Sequence, residues 1–201
     1  MIGLIDYGMG NLLSVSKAFE SIGADVLISE DPSALSQADA VVLPGVGNFG
    51  DGMKHLSERG LDKFVIDSID SGKPFMGICL GMQLLMESSE EAPGISGLAV
   101  FKGSVPRFPD MDLKIPHMGW NDVTVTENGS ARFANVPDNS YFYFVHSYYV
   151  APEDSSIVAG TCSYGIDFAA SISRDNIFAT QFHPEKSQDC GIQLLKNFCE
   201  N

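Results

Sequence analysis

Through the first half of the chain, short apolar runs alternate with segments whose apolar residues recur at three- and four-residue intervals. Residues 2–6 read as a buried strand, Tyr7 to Gly10 as a turn, and Asn11 as the N-cap of a helix with Leu12, Val15, Phe19 and Ile22 on its apolar face. Residues 25–29 make a second strand, Asp31-Pro32-Ser33 a short helical turn, and residues 40–43 a third strand with β-branched residues at its centre. After a glycine-rich segment, Asp51 is placed to cap helical segments over 52–55 and 61–69, and Gly72-Lys73-Pro74 returns the chain to a strand over 74–78. Helix formers follow from Met82 to Glu87. This order predicts an α/β doubly wound, mostly parallel sheet with helices on both faces, flavodoxin-like in plan. Right-handed crossovers bring the Gly45 loop and the end of strand 74–78 to one edge, outside the carboxyl ends of the strands, where such folds bind ligands.

The pattern changes near residue 97. Short strands are predicted over 122–126, 141–150, 157–162, 168–173 and 177–181, the last two joined across Arg174-Asp175-Asn176, with Asn128-Gly129 as a hairpin tip. Together they predict an antiparallel extension of the sheet. A closing helix from Asp189 directs Ile192, Leu195, Phe198 and Cys199 inward. No repeat, low-complexity run or linker interrupts the chain, so residues 1–201 are expected to form a single domain.

Charge narrows the partners. A formal net charge of −14 repels phosphate backbones and anionic lipid, which points to a small molecule or a protein, with no nucleic acid and no membrane. Cys79, Cys162, Cys190 and Cys199 form no C-x-x-C pair and have no zinc-ligand spacing with His55, His117, His146 or His183, so neither a metal nor a cofactor is expected. The N-terminus lacks a basic region and carries Asp6 within its apolar run, and glycines interrupt the longer apolar stretches. A cytoplasmic protein is expected. Asn128-Gly129-Ser130 matches a glycosylation acceptor but reads as a turn in that setting.

Three stretches carry chemistry. Gly77-Ile78-Cys79-Leu80-Gly81 has the spacing of a nucleophile elbow with cysteine in place of serine: a sharp strand-to-helix bend presents the side chain, and its flanking glycines avoid backbone collisions. A helix N-terminus after the bend favours thiolate. Cys79 reads equally as a small buried residue between glycines that allow close packing. Gly45-Val46-Gly47-Asn48-Phe49-Gly50 is a literal G-x-G-x-x-G, but Pro44 precedes it, and no acidic ribose anchor ends the next strand. A glycine loop beside a nucleophile instead suits backbone N–H donors of an oxyanion hole, or simply a turn that needs positive φ. In Gln181-Phe182-His183-Pro184-Glu185, strand alternation aims His183 and Glu185 to one side, as a base and its orienting carboxylate.

Taken together, Gly77-Ile-Cys79-Leu-Gly81-Met-Gln83 and His183-Pro-Glu185 resemble the class I (triad) glutamine amidotransferases. Asp6-Tyr7-Gly8-Met9-Gly10-Asn11, Pro44 to Phe49, Pro116-His117-Met118-Gly119-Trp120-Asn121 and Tyr143 to Tyr148 resemble, within that family, the glutaminase subunits of imidazole glycerol phosphate synthases. The resemblance implies Cys79 as nucleophile, His183 as acid and base, and Glu185 as its orienter. It implies glutamine held by Gly45, Val46, Gly47, Leu80, Gln83, His146, Ser147 and Tyr148. It further implies a (β/α)8-barrel synthase subunit of the HisF type as heterodimer partner, received by Asn11, Pro116, His117, Met118, Gly119 and Trp120. Composition alone makes residues 116–120 a turn with one buried Trp. A glutaminase serving a different synthase and a non-catalytic binding domain on the same fold are the rival readings.

Overall fold

The computed structural model describes residues 1–200. Four buried residues suffice for β1 (Ile2–Ile5), and α1 (Leu12–Ser21) starts where the Asn11 side chain accepts the Ser14 N–H, as the N-cap pattern predicts. Then follow β2 (Val26–Ser29), a single turn α2 (Pro32–Leu35) capped by Asp31, and β3 (Ala40–Leu43). The next helix, α3 (Phe49–Glu58), begins earlier than Asp51: Asn48 is its cap, accepting from the N–H groups of Gly50 and Asp51. After α4 (Leu61–Asp70) and β4 (Phe75–Ile78) comes α5 (Leu80–Gln83), far shorter than the helix formers to Glu87 suggest. The cause is tertiary. The Glu87 N–H, which a helix reaching Glu87 would give to the Gln83 carbonyl, donates instead to the Gly103 carbonyl, and the Leu84, Leu85 and Met86 carbonyls that follow accept from Leu98, Phe101 and Ala99.

The second half holds β5 (Ser88–Ser89), β6 (Gly103–Val105), β7 (His117–Val125), β8 (Ser140–His146), β9 (Ala151–Pro152), β10 (Val158–Tyr164), β11 (Ile166–Arg174), β12 (Ile177–Thr180) and the closing helix α6 (Gln188–Glu200). The main sheet runs β2-β1-β3-β4-β12-β11-β10-β7-β8, and β5-β6-β9 form a small separate sheet. Strands β2 through β12 in that order are parallel, and β11, β10, β7 and β8 are antiparallel. The sequence placed β12 in the antiparallel extension, but it pairs parallel to β4 on one side and antiparallel to β11 on the other. It is the seam of the sheet. That pairing sets Thr180 opposite Ile78 and carries the chain after β12 to the Cys79 bend.

Alternation along the strands feeds two cores. Ile5, Val41, Leu43 and Phe75 face the side covered by α3 and α4, with Leu56, Leu61 and Val65. Leu4, Val42, Met76 and Ile78 face α1 and α6, with Phe19, Leu195 and Phe198. Each large apolar side chain buried this way stabilises the fold by roughly 1.5–3 kcal/mol. In α6 Leu195 and Phe198 are buried as expected and Leu194 with them, while Cys199 is exposed, contrary to its expected inward placement.

Two further expectations are corrected. Asn128-Gly129 is not a hairpin tip: residues 127–129 form a 3-10 turn, Asn128 Nδ2 donates to the Ser173 carbonyl, and Gly129 lies so close to the Ala159 backbone that a Cβ would overlap it. Residues 117–120 are strand, not turn, and Trp120 is 46% exposed. A pleated strand at this end of the sheet offers successive residues to opposite sides, so His117 is buried while Met118 is exposed.

Candidate active site

The parallel strands deliver their carboxyl ends to one edge, and Cys79 sits there with φ 53° and ψ −106°. A non-glycine residue in that region stores about 1–3 kcal/mol of backbone strain, held here by the Cys79 N–H donating to the Thr180 carbonyl at 2.7 Å. The flanking glycines are required by contact. A Cβ on Gly77 would stand 2.9 Å from the Gly81 carbonyl oxygen, and one on Gly81 would overlap the Leu43 carbonyl oxygen. Because α5 is a single turn, it carries little macrodipole, and the charge partner available to the sulfur is the His183 ring.

His183 is brought in by a turn instead of strand alternation. β12 ends at Thr180, and Pro184 to Lys186 form a 3-10 turn, with proline at a first helical position that needs no N–H donor. The turn returns Glu185 to the ring: Nδ1 lies 2.8 Å from Glu185 Oε1. His183 itself is fixed by its N–H to the Tyr143 carbonyl and by the Ser187 hydroxyl donating to its own carbonyl. Burial by itself lowers the imidazole pKa; the charge of the nearby Cys79 sulfur, then the hydrogen bond and charge of Glu185, reverse this and push it up to about 10. Among the described residues Nε2 has no hydrogen-bond partner, so the sulfur acts on the ring by proximity and charge in this state.

Gln181 was not singled out in the sequence, yet its side chain donates to Cys79 Sγ at 3.7 Å and accepts from Gln83 Nε2 at 3.0 Å. Gln83 Nε2 also donates to the Tyr148 carbonyl at 3.1 Å. Tyr148 in turn accepts from His146 Nδ1 at 2.8 Å, and His146 Nε2 lies 3.0 Å from His117 Nδ1. These contacts dictate the tautomers: with His146 donating through Nδ1, its Nε2 accepts from His117 Nδ1–H. Burial keeps both rings neutral, holding His146 down at about 3 and His117 at about 4. A continuous set of hydrogen bonds therefore runs from strand β7 to the nucleophile.

A pocket of about 270 Å³ opens beside Cys79, lined by Val46, Gly47, Leu80, Gln83, Glu91, Val145, His146 and Tyr148. It is smaller than the roughly 300–1,000 Å³ typical for drug-sized ligands and suits a molecule of amino-acid size. Glu91 escaped the sequence reading; its Oε2 accepts the Phe49 N–H at 2.7 Å and it is the carboxylate of the wall. Gly45 and Ser147 do not line the pocket. The Gly45 carbonyl instead accepts the Leu80 N–H at 3.4 Å, occupying one of the two expected oxyanion donors. Larger hollows of about 660 Å³ around Leu113 and Met118 and about 550 Å³ around Phe101 and Arg174 are lined by neither cysteine nor histidine. Among the described residues no group of three or more His, Cys, Asp or Glu side chains is arranged to hold a metal ion, and no helix is long and apolar enough to cross a membrane.

The expected partner residues divide. Met118 and Trp120 are exposed, and the register of the outer strand pair β7 and β8 puts them on the same face as exposed Tyr141. The His117 side chain is buried in the hydrogen-bonded pair and cannot face a partner directly. Asn11 is exposed at the carboxyl end of β1 while its side chain caps α1.

Comparison with known proteins identifies the family. Residues 3–201 match the family model "Glutamine amidotransferase class-I". The chain is 50% identical over 200 residues to the imidazole glycerol phosphate synthase subunit HisH of Acinetobacter baylyi, covering 99% of this chain and 97% of that one. It is likewise 50% identical over 200 residues to the HisH subunit of Methanothermobacter thermautotrophicus, covering 100% and 98%. In fold it resembles a crystal structure described as a glutamine amidotransferase, with TM-score 0.76, 17% identity and 98% coverage of both chains. PurLQS from Thermotoga maritima gives TM-score 0.73 at 18% identity, covering 99% of this chain and 97% of that one.

Proposed function

Because the chain belongs to the class-I glutamine amidotransferases, and within them to the HisH family of imidazole glycerol phosphate synthase subunits, we propose that it hydrolyses glutamine through a Cys79–His183–Glu185 triad and passes the ammonia to a (β/α)8-barrel partner of the HisF type. The observation that carries this reading is an imidazole paired with Glu185 and near enough to feel the charge of the Cys79 sulfur, which itself lines a pocket of amino-acid size. The whole of residues 1–201 acts as one glutamine amidotransferase domain. Its four cysteines are free, in keeping with a cytoplasmic setting.

Cys79 thiolate attacks the side-chain amide carbon of glutamine, forming a C–S bond while the carbonyl electrons move to oxygen. The Leu80 N–H and a peptide N–H of the Val46–Gly47 segment receive that oxyanion. Collapse of the intermediate breaks the C–N bond, and imidazolium His183 gives its proton to the departing nitrogen, releasing ammonia and leaving a glutamyl thioester. Neutral His183 then takes a proton from water as the water attacks the thioester, glutamate leaves, and Cys79 is regenerated. Glu185 holds the Nδ1–H tautomer throughout. Glu91, Gln83 and the backbone at His146 and Tyr148, which line the pocket, would hold the polar groups of the substrate's amino-acid end.

Ammonia in open water becomes ammonium, which is no nucleophile, so transfer calls for a closed path into the barrel. There it would be combined with a ribotide to give imidazole glycerol phosphate and an aminoimidazole carboxamide ribotide, in histidine biosynthesis. The exposed face carrying Met118, Trp120 and Tyr141 supports docking of that subunit. The state described here keeps the Leu80 N–H engaged by the Gly45 carbonyl, so the unpartnered chain should turn over glutamine slowly. Glutamate release by the chain alone, with the barrel, and with barrel plus ribotide tests the reading. A progressive rise is expected; no release in any of the three would overturn it.

A further inference from the structure

Tyr7 is fully buried, and its hydroxyl has no hydrogen-bond partner among the described residues. An orphaned buried hydroxyl is unfavourable, and natural folds rarely retain one without a second use. Burial first, and the nearby charge of Cys79 second, raise its pKa, so it stays a neutral donor across the physiological range. Its position is specific. The hydroxyl lies against Gly45 so closely that a Cβ there would overlap it, and the same Cβ would also stand 2.8 Å from Leu80 Cβ. The tyrosine is anchored from behind, where its own carbonyl accepts from His55 Nδ1 at 3.0 Å. The turn it begins also supports the glycine loop elsewhere: Gly10 packs on Pro44, and Met9 Cε packs on Gly47.

The Gly45 carbonyl has a weak attachment. Its bond from the Leu80 N–H is 3.4 Å long, beyond the usual range for an N–H donor, and that N–H is wanted by the oxyanion of the proposed reaction. For the N–H to be released, the carbonyl must leave it, and a buried carbonyl needs a new donor. We propose that Tyr7 is a positioning residue for the oxyanion hole: its hydroxyl donates to the Gly45 carbonyl once that carbonyl leaves the Leu80 N–H, and so holds the loop in the competent state. This rests on the glutaminase reading above. The exchange replaces one long bond and one orphan with one good bond and a free N–H aimed at the substrate. It also accounts for glycine at position 45, where any side chain would separate the two partners.

The test is Tyr7→Phe in the complex with the barrel subunit. The expected result is a glutaminase kcat lower by about tenfold, the weight of one hydrogen bond made only in the competent state, with KM within about twofold of the parent. Affinity for the γ-aldehyde analogue of glutamine, which forms a tetrahedral adduct with the thiol, should fall by the same factor. Alkylation of Cys79 by iodoacetamide should be unchanged, and the denaturation midpoint of the isolated chain should be unchanged or higher, since no bond of the resting state is lost. Parent-like kcat and aldehyde affinity would overturn the assignment. So would a lowered midpoint with slower alkylation, which would make the hydroxyl part of the resting structure. A parent complex without glutaminase activity would instead remove the functional reading and this inference together.

Discussion

His183 Nδ1 and Glu185 Oε1 stand 2.8 Å apart with their side chains 2% and 1% exposed, across a single turn that begins at Pro184. In so dry a setting the carboxylate has little water to answer to, and the ring is its partner. The second carboxylate oxygen, Glu185 Oε2, makes no hydrogen bond among the described residues. The pair orients the other imidazole nitrogen toward the Cys79 bend, and the consequences follow from which member is removed.

Glu185→Gln should damage glutaminase less than His183→Ala. The glutamine keeps a side-chain oxygen for Nδ1–H but loses the charge that supports the imidazolium, whereas alanine removes the proton carrier, a role worth about 10²–10⁴ in rate. Steady-state kcat/KM for the two variants gives the ordering. An undiminished Glu185→Gln enzyme would take Glu185 out of the triad.

Cys79→Ser should keep the fold, because one oxygen replaces one sulfur at an unchanged backbone, and should abolish glutamine-dependent synthesis in the complex, because a hydroxyl is a far weaker nucleophile than a thiolate. Synthesis from ammonium salt at alkaline pH should survive. Failure with both nitrogen sources would refute the proposed division of labour.

Stability should pass through a maximum near pH 6.5. His183 is raised in the folded chain to about 10, so its contribution is complete below the ordinary imidazole value near 6.5 and is lost as pH rises through about 10. His146 and His117 are depressed to about 3 and about 4, so their contribution is present above 6.5 and is lost as pH falls toward those values. Denaturant midpoints measured from pH 4 to 10 should describe both limbs. Since Cys79 supplies the leading upward influence on His183, Cys79→Ser should flatten the alkaline limb and leave the acid one.

Gly81→Ala should be costly although it adds one methyl group. The Cβ would meet the Leu43 carbonyl, which is backbone at the end of a central strand and cannot swing aside. A loss of about 3 kcal/mol is expected, or about 6–12 °C in Tm for a chain of this size. A calorimetric shift of less than a degree would mean that α5 adjusts more freely than its contacts allow.

Trp120→Ala should separate folding from assembly. The indole is 46% exposed and meets Tyr143 edge to face at 6.2 Å, so its loss should change the isolated chain's stability by no more than about 0.5 kcal/mol. Affinity for the barrel subunit should fall by about tenfold or more, as for a large aromatic at the centre of an interface. Denaturation and calorimetric titration report the two quantities separately.

Much of this molecule is decided within short reach along the chain. The alternation of residues 2–6, 40–43 and 74–78 with amphipathic segments specifies strand and helix by period alone, and the Asn11 cap needs only the N–H three residues on. Glycine at 77 and 81 marks a bend at Cys79 because only hydrogen tolerates the backbone there. His183 and Glu185 are near neighbours, so their meeting could be expected even though a turn, and not strand alternation, brings it about. Gln181 lay two residues from His183 and was open to the same reasoning, whereas nothing local links Glu91 to Phe49 or His117 to His146. Those pairs are set by strand order and register, which place residues tens of positions apart against one another. Tertiary contacts also stop α5 after one turn, by drawing the Glu87 N–H to the Gly103 carbonyl, and leave Trp120 half-exposed by making its segment part of the outer strand pair of the sheet. Local propensity is the property of a few consecutive residues, but a backbone group or side chain has one partner at a time, and only the assembled sheet decides which partner that is.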